Sequence, residues 1–334
     1  MTRFRGLCLF LALMCAAASA CAADATLVFA VNQDDGTVSV LDSYSDTVVA
    51  TIEVGFAPAG IAASRDGKTL YVTHPEKGVV SVIDAAARRL ARTLHVGGTP
   101  FGIAVGQDGT LFISDWNEDT VAAVDPLSGA RLREIAVGKA PAGVATSPTG
   151  SLVFVANRES NSVSVLSATT LAVVATLPVG EAPFALAVSP DATRVYVANV
   201  RSADVSVLST ETLRPIGRIK VGAMPYGVTT NGAGDRVLVA NQSSGTVSVI
   251  DARTMKIAET HKVGRFPEGV VAPPGTGKAY VANWFSSDVS VVDIATGEEI
   301  KRVPTGGGSR ALAVVTVDAP ALPAGDAPGH AHAK

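Results

Sequence analysis

Cysteine is nearly missing from this chain. Only Cys8, Cys15 and Cys21 occur, all crowded at the start, so residues 22–334 hold no disulfide. An oxidising compartment is compatible with that pattern but not exploited by it. Charge of one sign is also lacking: 27 Lys and Arg stand against 30 Asp and Glu, a formal net charge of −3, which argues against a broadly cationic binding surface. No internal apolar run approaches the roughly 18 residues needed to cross a bilayer. Aromatic residues are few, 5% of the chain with two tryptophans, so the places where they gather carry information.

What the chain has in quantity is repetition. The strings VFAVN32, LYVTH74, LFISD115, VFVAN157, VYVAN199, VLVAN241 and AYVAN283 end 41 or 42 residues apart. A second series keeps the same register, with Val54-Gly55, Val96-Gly97, Val137-Gly138, Val179-Gly180, Val221-Gly222 and Val263-Gly264, and Thr305-Gly306 as a worn copy. A period of this length built only of short β-type runs reads as a propeller blade. The repeat Pro183–Gly222 divides into runs Phe184–Ser189, Arg194–Asn199, Asp204–Leu208 and Pro215–Val221, punctuated by Gly, Pro, Asp and Asn. The fold expected is therefore all-β: a seven-bladed propeller of four-stranded antiparallel blades. A hydrophobic content of 47% fits blades that bury both faces of each sheet.

The ends of the chain predict how the ring closes. The first runs are B, C and D strands (Thr26–Val31, Thr37–Leu41, Val48–Val54), and the missing A strand appears at the other end as Arg310–Val317. Pairing the two ends completes the seventh blade and removes a free sheet edge. Residues 1–23 read as an export signal, with Arg3 and Arg5, an apolar core from Leu7 to Ala18, and cleavage near Ala22-Ala23. Residues 24–317 form the propeller, and 318–334, rich in Pro, Ala and Gly, read as a disordered tail. A periplasmic or secreted monomer is expected. Ala18-Ser19-Ala20-Cys21 resembles a lipid-attachment box but lacks the usual Leu, so simple cleavage is preferred over an anchor at Cys21.

Inside the repeat, glycines such as Gly55 are expected to supply a backbone conformation other residues avoid. Pro58, Pro100, Pro141, Pro183, Pro225 and Pro267 stiffen the crossing to the next blade. Asn32, Asn157, Asn199, Asn241 and Asn283 are expected to bond local backbone in turns, and the serines of the VSV strands to fit where blades wedge together. Several positions break the pattern: His74 and Asp115 for Asn, Ala122 for Ser, Ser309 for Pro, and Ala185 and Ala311 for Gly.

The YVAN-type strand, the Val-Gly mark, the Pro-x-Gly step and VSV-Ile/Leu-Asp together resemble the YVTN-family β-propeller proteins, over about residues 26–317. The resemblance implies a seven-bladed, commonly exported fold. The wider group of similar propellers includes lactonase-like enzymes, haem d1-binding domains and accessories of quinoprotein dehydrogenases, so function does not follow from fold.

Loops joining D to A and B to C should gather on one face around the channel mouth. After each Pro position come Ala59, Phe101, Ala142, Phe184, Tyr226, Glu268 and Arg310, and the turns add Trp116, Arg158, Arg201, Trp284 and Phe285, with Arg265 and Phe266 from a crossing. Aromatics and arginines on a loop face make a recognition surface, expected to bind a protein or small ligand in the cell envelope. The same face is expected to carry Asp34, Asp35, Glu76, Glu118, Asp119, Glu159, Asp204, Glu268 and Asp288, a mixed charge that argues against nucleic acid. No catalytic set is recognisable and no cofactor is expected. The alternatives are a metal-dependent lactonase-like hydrolase using face carboxylates, or a tetrapyrrole binder using His74. His330 and His332 in the tail are weak metal-ligand candidates.

Overall fold

The computed structural model describes residues 25–317. The segment read as an export signal, Cys21, and residues 318–334 with His330 and His332 lie outside the described residues. Seven four-stranded antiparallel sheets follow one another around an axis. Blades 1 to 6 run consecutively, spanning 61–95, 100–136, 141–178, 183–220, 225–262 and 267–304. Blade 7 joins the C-terminal strand Ser309–Val317 to Ala25–Asn32, Thr37–Asp42 and Thr47–Glu53. The closing pair runs antiparallel from Ala25 opposite Val317 to Asn32 opposite Ser309, so the ring has no seam. Strand limits match the sequence reading to within a residue or two; the run read as Phe184–Ser189 is Pro183–Val188. Among the described residues, no helix is long and apolar enough to cross a membrane.

Burial explains the strand composition. Strands B and C are buried almost throughout, for example Leu27 to Val31 and Val38 to Leu41, because blades cover both of their faces. Strand D is exposed along most of its length and buries one inward residue near its end, such as Ile52, Leu94, Leu177 and Ile219. Sheet-on-sheet burial of this kind is the main stabilising term, at about 25 cal/mol per Å² of apolar surface.

The repeated asparagines do not bond turn backbone. Each sends both protons of its side-chain amide to strand C of its own blade, one to the residue five positions on and one to the serine seven positions on. Asn157 Nδ2 lies 3.0 Å from Ser162 Oγ and 2.9 Å from Ser164 Oγ; Asn199, Asn241, Asn283 and Asn32 repeat the pattern. The VSV serine is thus an acceptor as well as a small residue. An amide NH2 has two donors and needs two acceptors, and the irregular blades obey that arithmetic. His74 faces Val79 and Ser81, one acceptor short, and Asp115 faces Thr120 and Ala122. Where the pair of acceptors is broken, asparagine is replaced.

The Val-Gly glycines need correction too. Gly55 and Gly97 do adopt left-handed backbone, with φ of 98° and 72°, but Gly138, Gly180, Gly222, Gly264 and Gly306 do not. A methyl group on Gly222 would lie 2.7 Å from Cγ of Asn241 in the next blade, and Gly138, Gly180, Gly264 and Gly306 face Asn157, Asn199, Asn283 and Asn32 just as closely. The glycine is there to let the neighbouring amide in. Gly55 and Gly97 are the two that precede His74 and Asp115.

The glycine of Pro-x-Gly has a similar cause nearer the axis. A methyl on Gly60 would lie 2.5 Å from the Phe101 carbonyl oxygen, and Gly102, Gly143, Gly227 and Gly269 are likewise closed in by the x-residue carbonyl of the following blade. The inner strands are packed backbone to backbone at this level.

Candidate functional site

Two rings of seven positions build one end of the channel. The inner ring holds the x residues Ala59, Phe101, Ala142, Phe184, Tyr226, Glu268 and Arg310. The outer ring holds the residue after each strand B: Pro75, Trp116, Arg158, Val200, Gln242, Trp284 and Gln33. Local backbone chemistry fixes both. In blades 2 to 7 the inner strand has a register shift at the x residue, as between Pro183 and Leu186, and such bulges re-aim side chains. The outer-ring amides of Trp116, Arg158, Val200, Gln242, Trp284 and Gln33 then donate to the carbonyl of the residue before the Pro position, as Trp284 does to Phe266 at 2.9 Å. Pro75 has no amide proton, and blade 1 accordingly has an inner strand of only three residues, Ile61–Ala63.

Several of these preceding residues sit in left-handed backbone without being glycine: Ala57, Ala140, Ala182, Met224 and Phe266, with φ between 47° and 56°. Such a conformation costs about 1–2 kcal/mol per residue. It turns the chain sharply from the outer strand to the axis.

The rings interlock because two of the inner residues are small. Ala59 leaves a gap in blade 1, and across it Arg310 of blade 7 sets its guanidinium 5.6 Å from the Phe101 ring centre in blade 2. Ala142 leaves a second gap, and across it Phe101 and Trp116 reach Phe184 of blade 4 at 5.8 and 6.4 Å. Phe101 and Trp116 lie 4.9 Å apart, Phe184 and Tyr226 4.5 Å. Tilted and edge-on aromatic contacts at these spacings are favourable beyond their burial. The Arg310 guanidinium also lies 5.5 Å from the Trp284 ring, and Arg158 covers Trp116 at 5.8 Å.

A polar chain completes the mouth. Arg310 Nη1 donates to Gln33 Oε1 at 2.8 Å, its Nε lies 3.5 Å from Glu268 Oε2, and Gln242 Nε2 donates to Glu268 Oε1 at 2.7 Å. Glu268 is 4% exposed and Arg310 11%. Burial pushes the Glu268 carboxyl above the usual carboxylate range, against the opposing pull of Arg310 and Gln242. Beneath this rim is a cavity of about 240 Å³, lined by Ala59, Phe101, Phe184, Tyr226, Glu268 and Arg310 and, deeper, by Ile61, Ile103, Val144, Leu186, Val228, Val270 and Leu312. At the far end, Arg65 donates to the carbonyls of Ser147 and Pro148 at 3.1 Å. It thereby spans blade 2, whose A-to-B turn is a residue short.

The structure brings together Phe101, Trp116, Phe184, Tyr226, Glu268, Trp284 and Arg310 of the sequence-predicted residues, with Arg158 against Trp116. Arg201 stands apart, exposed and held bidentately by Glu159 at 3.1 Å. Arg265 donates to the Phe285 carbonyl, and Phe285, 57% exposed, packs on Phe266 at 4.3 Å. These form a satellite patch outside the cavity. Gln33 and Gln242 were not foreseen, although the outer-ring column of the repeat contains them.

Two of the acidic residues assigned to this face are not on it. Asp204 and Asp288 are buried, accept the Asn199 and Asn283 amides, and are neutralised by Arg218 and Lys220 or by Arg302. Asp115 likewise turns inward and accepts the Thr99 backbone amide at 3.0 Å. His74 is buried: its Nδ1 donates to the Phe56 carbonyl at 3.0 Å, and its Nε2 lies 2.9 Å from Ser81 Oγ, whose single proton is shared between that nitrogen and the Val54 carbonyl at 3.2 Å. Burial lowers its pKa. Both ring nitrogens therefore have protein partners.

Comparisons with known proteins agree on architecture. A family model described as "Lactonase, 7-bladed beta-propeller" matches residues 130–212, less than half the chain, a stretch that contains Arg158, Phe184 and Arg201 but not Glu268 or Arg310. No curated protein matches the chain. Among solved structures, a functionally unknown protein from Desulfotomaculum acetoxidans superposes with a TM-score of 0.77 at 15% identity, covering 87% of this chain and 99% of that one. Hydrazine synthase from Kuenenia stuttgartiensis gives 0.70 at 19%, covering 79% and 96%, and apo AztD from Citrobacter koseri gives 0.68 at 17%, covering 89% and 99%. At such identities the likeness concerns the fold alone, and this chain is a seven-bladed propeller whose role its own mouth must disclose.

Proposed function

We propose that this is an exported, non-catalytic propeller that binds a partner molecule at the mouth of its central channel. One observation carries the reading. Three aromatic side chains and a buried Arg–Glu pair from five different blades line one cavity, and both tryptophans of the chain pack against that lining, Trp116 on Phe101 and Trp284 on Arg310. Large amphipathic side chains around a concave site, with few polar groups among them, are the composition of a binding pocket. Export rests on the leader and the small-residue cleavage motif read in the sequence, and a partner in the cell envelope follows from it.

The partial family match favours one competing reading, lactonase-like hydrolysis assisted by a metal ion. The residues present do not fit a resident metal. Among the described residues no group of three or more His, Cys, Asp or Glu side chains gathers in metal-binding proximity. The two carboxylates best placed near the mouth are spoken for, Glu268 by Arg310 and Gln242 and Glu159 by Arg201 and Arg158. His74 could keep its Nδ1–H on the Phe56 carbonyl but would have to give up Ser81 at Nε2, and at 1% exposure it has no open side for a haem-like group.

Native mass spectrometry of protein isolated from its own compartment tests the binding reading. Wild-type protein should carry a bound mass that disappears when Trp116 and Trp284 are replaced by leucine, with the melting temperature held within a few degrees. A bound mass that survives both substitutions, or turnover of a lactone by metal-loaded protein, refutes it.

A further inference from the structure

We propose that the cavity takes a small amphiphilic anion: a carboxylate or similar oxyanion headgroup on Arg310, and a compact aliphatic body in the channel below. This deepens the mouth-binding reading and rests on it.

The division of the cavity wall supplies the argument. Its lower tier is one aliphatic side chain from each inner strand, from Ile61 around to Leu312, with no charged group among them. Its upper tier holds two charged residues, Arg310 and Glu268. A ligand that fills the tier below must therefore be apolar in its body and can carry charge only at one end. A volume near 240 Å³ lies below the ~300–1,000 Å³ typical of sites for drug-sized molecules, so the body is short.

The sign of the headgroup follows from unused hydrogen-bonding capacity. Arg310 has five N–H donors. One Nη1 proton reaches Gln33, and the 3.5 Å approach of Nε to Glu268 is longer than the ~2.7–2.9 Å of a charge-assisted hydrogen bond. Nη2 has no acceptor among the described residues, although the side chain is only 11% exposed and its guanidinium lies 5.6 Å from the Phe101 ring centre and 5.5 Å from that of Trp284. The planar fork is thus oriented by its neighbours and left open along one edge. Tyr226 adds a hydroxyl on the same wall with no protein partner among the described residues. Glu268 is the reverse case: Oε1 accepts from Gln242, and Oε2, 3.5 Å from Arg310 Nε, already has its countercharge beside it. A cationic ligand would have to displace protein partners from Glu268; an anion meets donors that are free. Burial already disfavours the Glu268 charge.

Calorimetric titration of the whole protein with hexanoate, hexanol, hexylamine and acetate, followed in parallel by tryptophan fluorescence, tests this. Hexanoate should bind and perturb the fluorescence. Acetate, which lacks the body, and hexanol, which lacks the charge, should each bind at least about tenfold more weakly. Arg310→Lys, which keeps the charge but loses the fork, should weaken hexanoate by about tenfold. Glu268→Gln, which can keep its bond to Gln242, should strengthen it several-fold by removing a competing negative charge. That second variant keeps the test decisive if the first fails to fold. Preferential binding of hexylamine, or hexanoate affinity unchanged in both variants, overturns the assignment, as does the failure of all four probes. If a ligand recovered from the native protein depends on Trp116 and Trp284 yet bears no acidic group, the anion assignment falls while the mouth remains the binding site.

Discussion

Replacing Gly222 by alanine should destabilise the protein through Asn241 in the neighbouring blade, and removing Asn241 should cancel most of the damage. The added methyl would sit 2.7 Å from Asn241 Cγ and 2.8 Å from Nδ2, well inside the ~3.5–4.0 Å of ordinary contact. Asn241 is fully buried and its amide is pinned at 3.1 Å to Thr246 and 2.9 Å to Ser248, so it can move only by breaking those bonds. Two lost hydrogen bonds at about 1 kcal/mol each, plus overpacking of about 1 kcal/mol, give roughly 3 kcal/mol for Gly222→Ala. Asn241→Ala alone should cost about 1–2 kcal/mol, since the same two bonds go but the unpaired buried Oδ1 goes with them. Gly222 is not in left-handed backbone, so alanine there carries no conformational penalty once the amide is gone. The double variant should match Asn241→Ala, a coupling of about 2–3 kcal/mol in a double-mutant cycle read by urea denaturation. Gly55→Ala is the contrast: nothing stands within 4 Å of its added methyl, but its φ is 98°, so its cost should persist whatever replaces His74. Additive effects of Gly222→Ala and Asn241→Ala would refute the latch.

The remaining predictions concern pH, closure and backbone strain. His74 has a lowered pKa in the folded state, so the unfolded chain binds the proton more readily, and stability should rise with pH up to about 6.5, with a slope of at most about 1.4 kcal/mol per unit. His74→Asn should flatten that dependence between about pH 5 and 7; identical pH profiles would contradict it. Deleting residues after Thr305 removes the strand that buries Val315 and Val317, about 1.5–3 kcal/mol each, and bares the edge of Ala25–Asn32. The truncated protein should lose its cooperative thermal transition, whereas an unchanged calorimetric peak would break the closure argument. Ala203 has φ of 52° where Gly36, Gly78 and Gly245 stand in sister blades. Ala203→Gly should therefore stabilise by about 0.5–1 kcal/mol in denaturant titration, and a loss would show that its methyl contributes more than its backbone costs.

Much of this architecture could be read from the chain because a propeller repeats its instructions. The strand limits, the antiparallel blades and the pairing of Arg310–Val317 with Thr26–Val31 all follow from a period of about 42 residues and from which strand is missing at each end. The inner ring was also legible, since Pro marks its position: Phe101, Phe184, Tyr226, Glu268 and Arg310 do line the cavity. What escaped were relations between residues of neighbouring blades or across a hairpin. Gly222 answers to Asn241, nineteen residues on and in another sheet, so its conservation of type looked like a turn requirement. Asp204 and Asp288 looked like surface acids because nothing in the local string shows that Asn199 and Asn283 reach them. Gln33 and Gln242 lacked the size or charge that drew notice to Trp116 and Trp284, though they occupy the same column. The neutral partners of a charged pair are the hardest residues to find in a sequence.

The most direct test is a crystal structure of the protein isolated from the compartment in which it resides. Density for a bound molecule beneath the rim, with an acidic group on Arg310 and its body among Leu186, Val228 and Leu312, is the predicted result. A bound molecule at the Arg65 end or on the outer strands, with Phe101, Phe184 and Tyr226 closed over an undisturbed channel, would contradict the account.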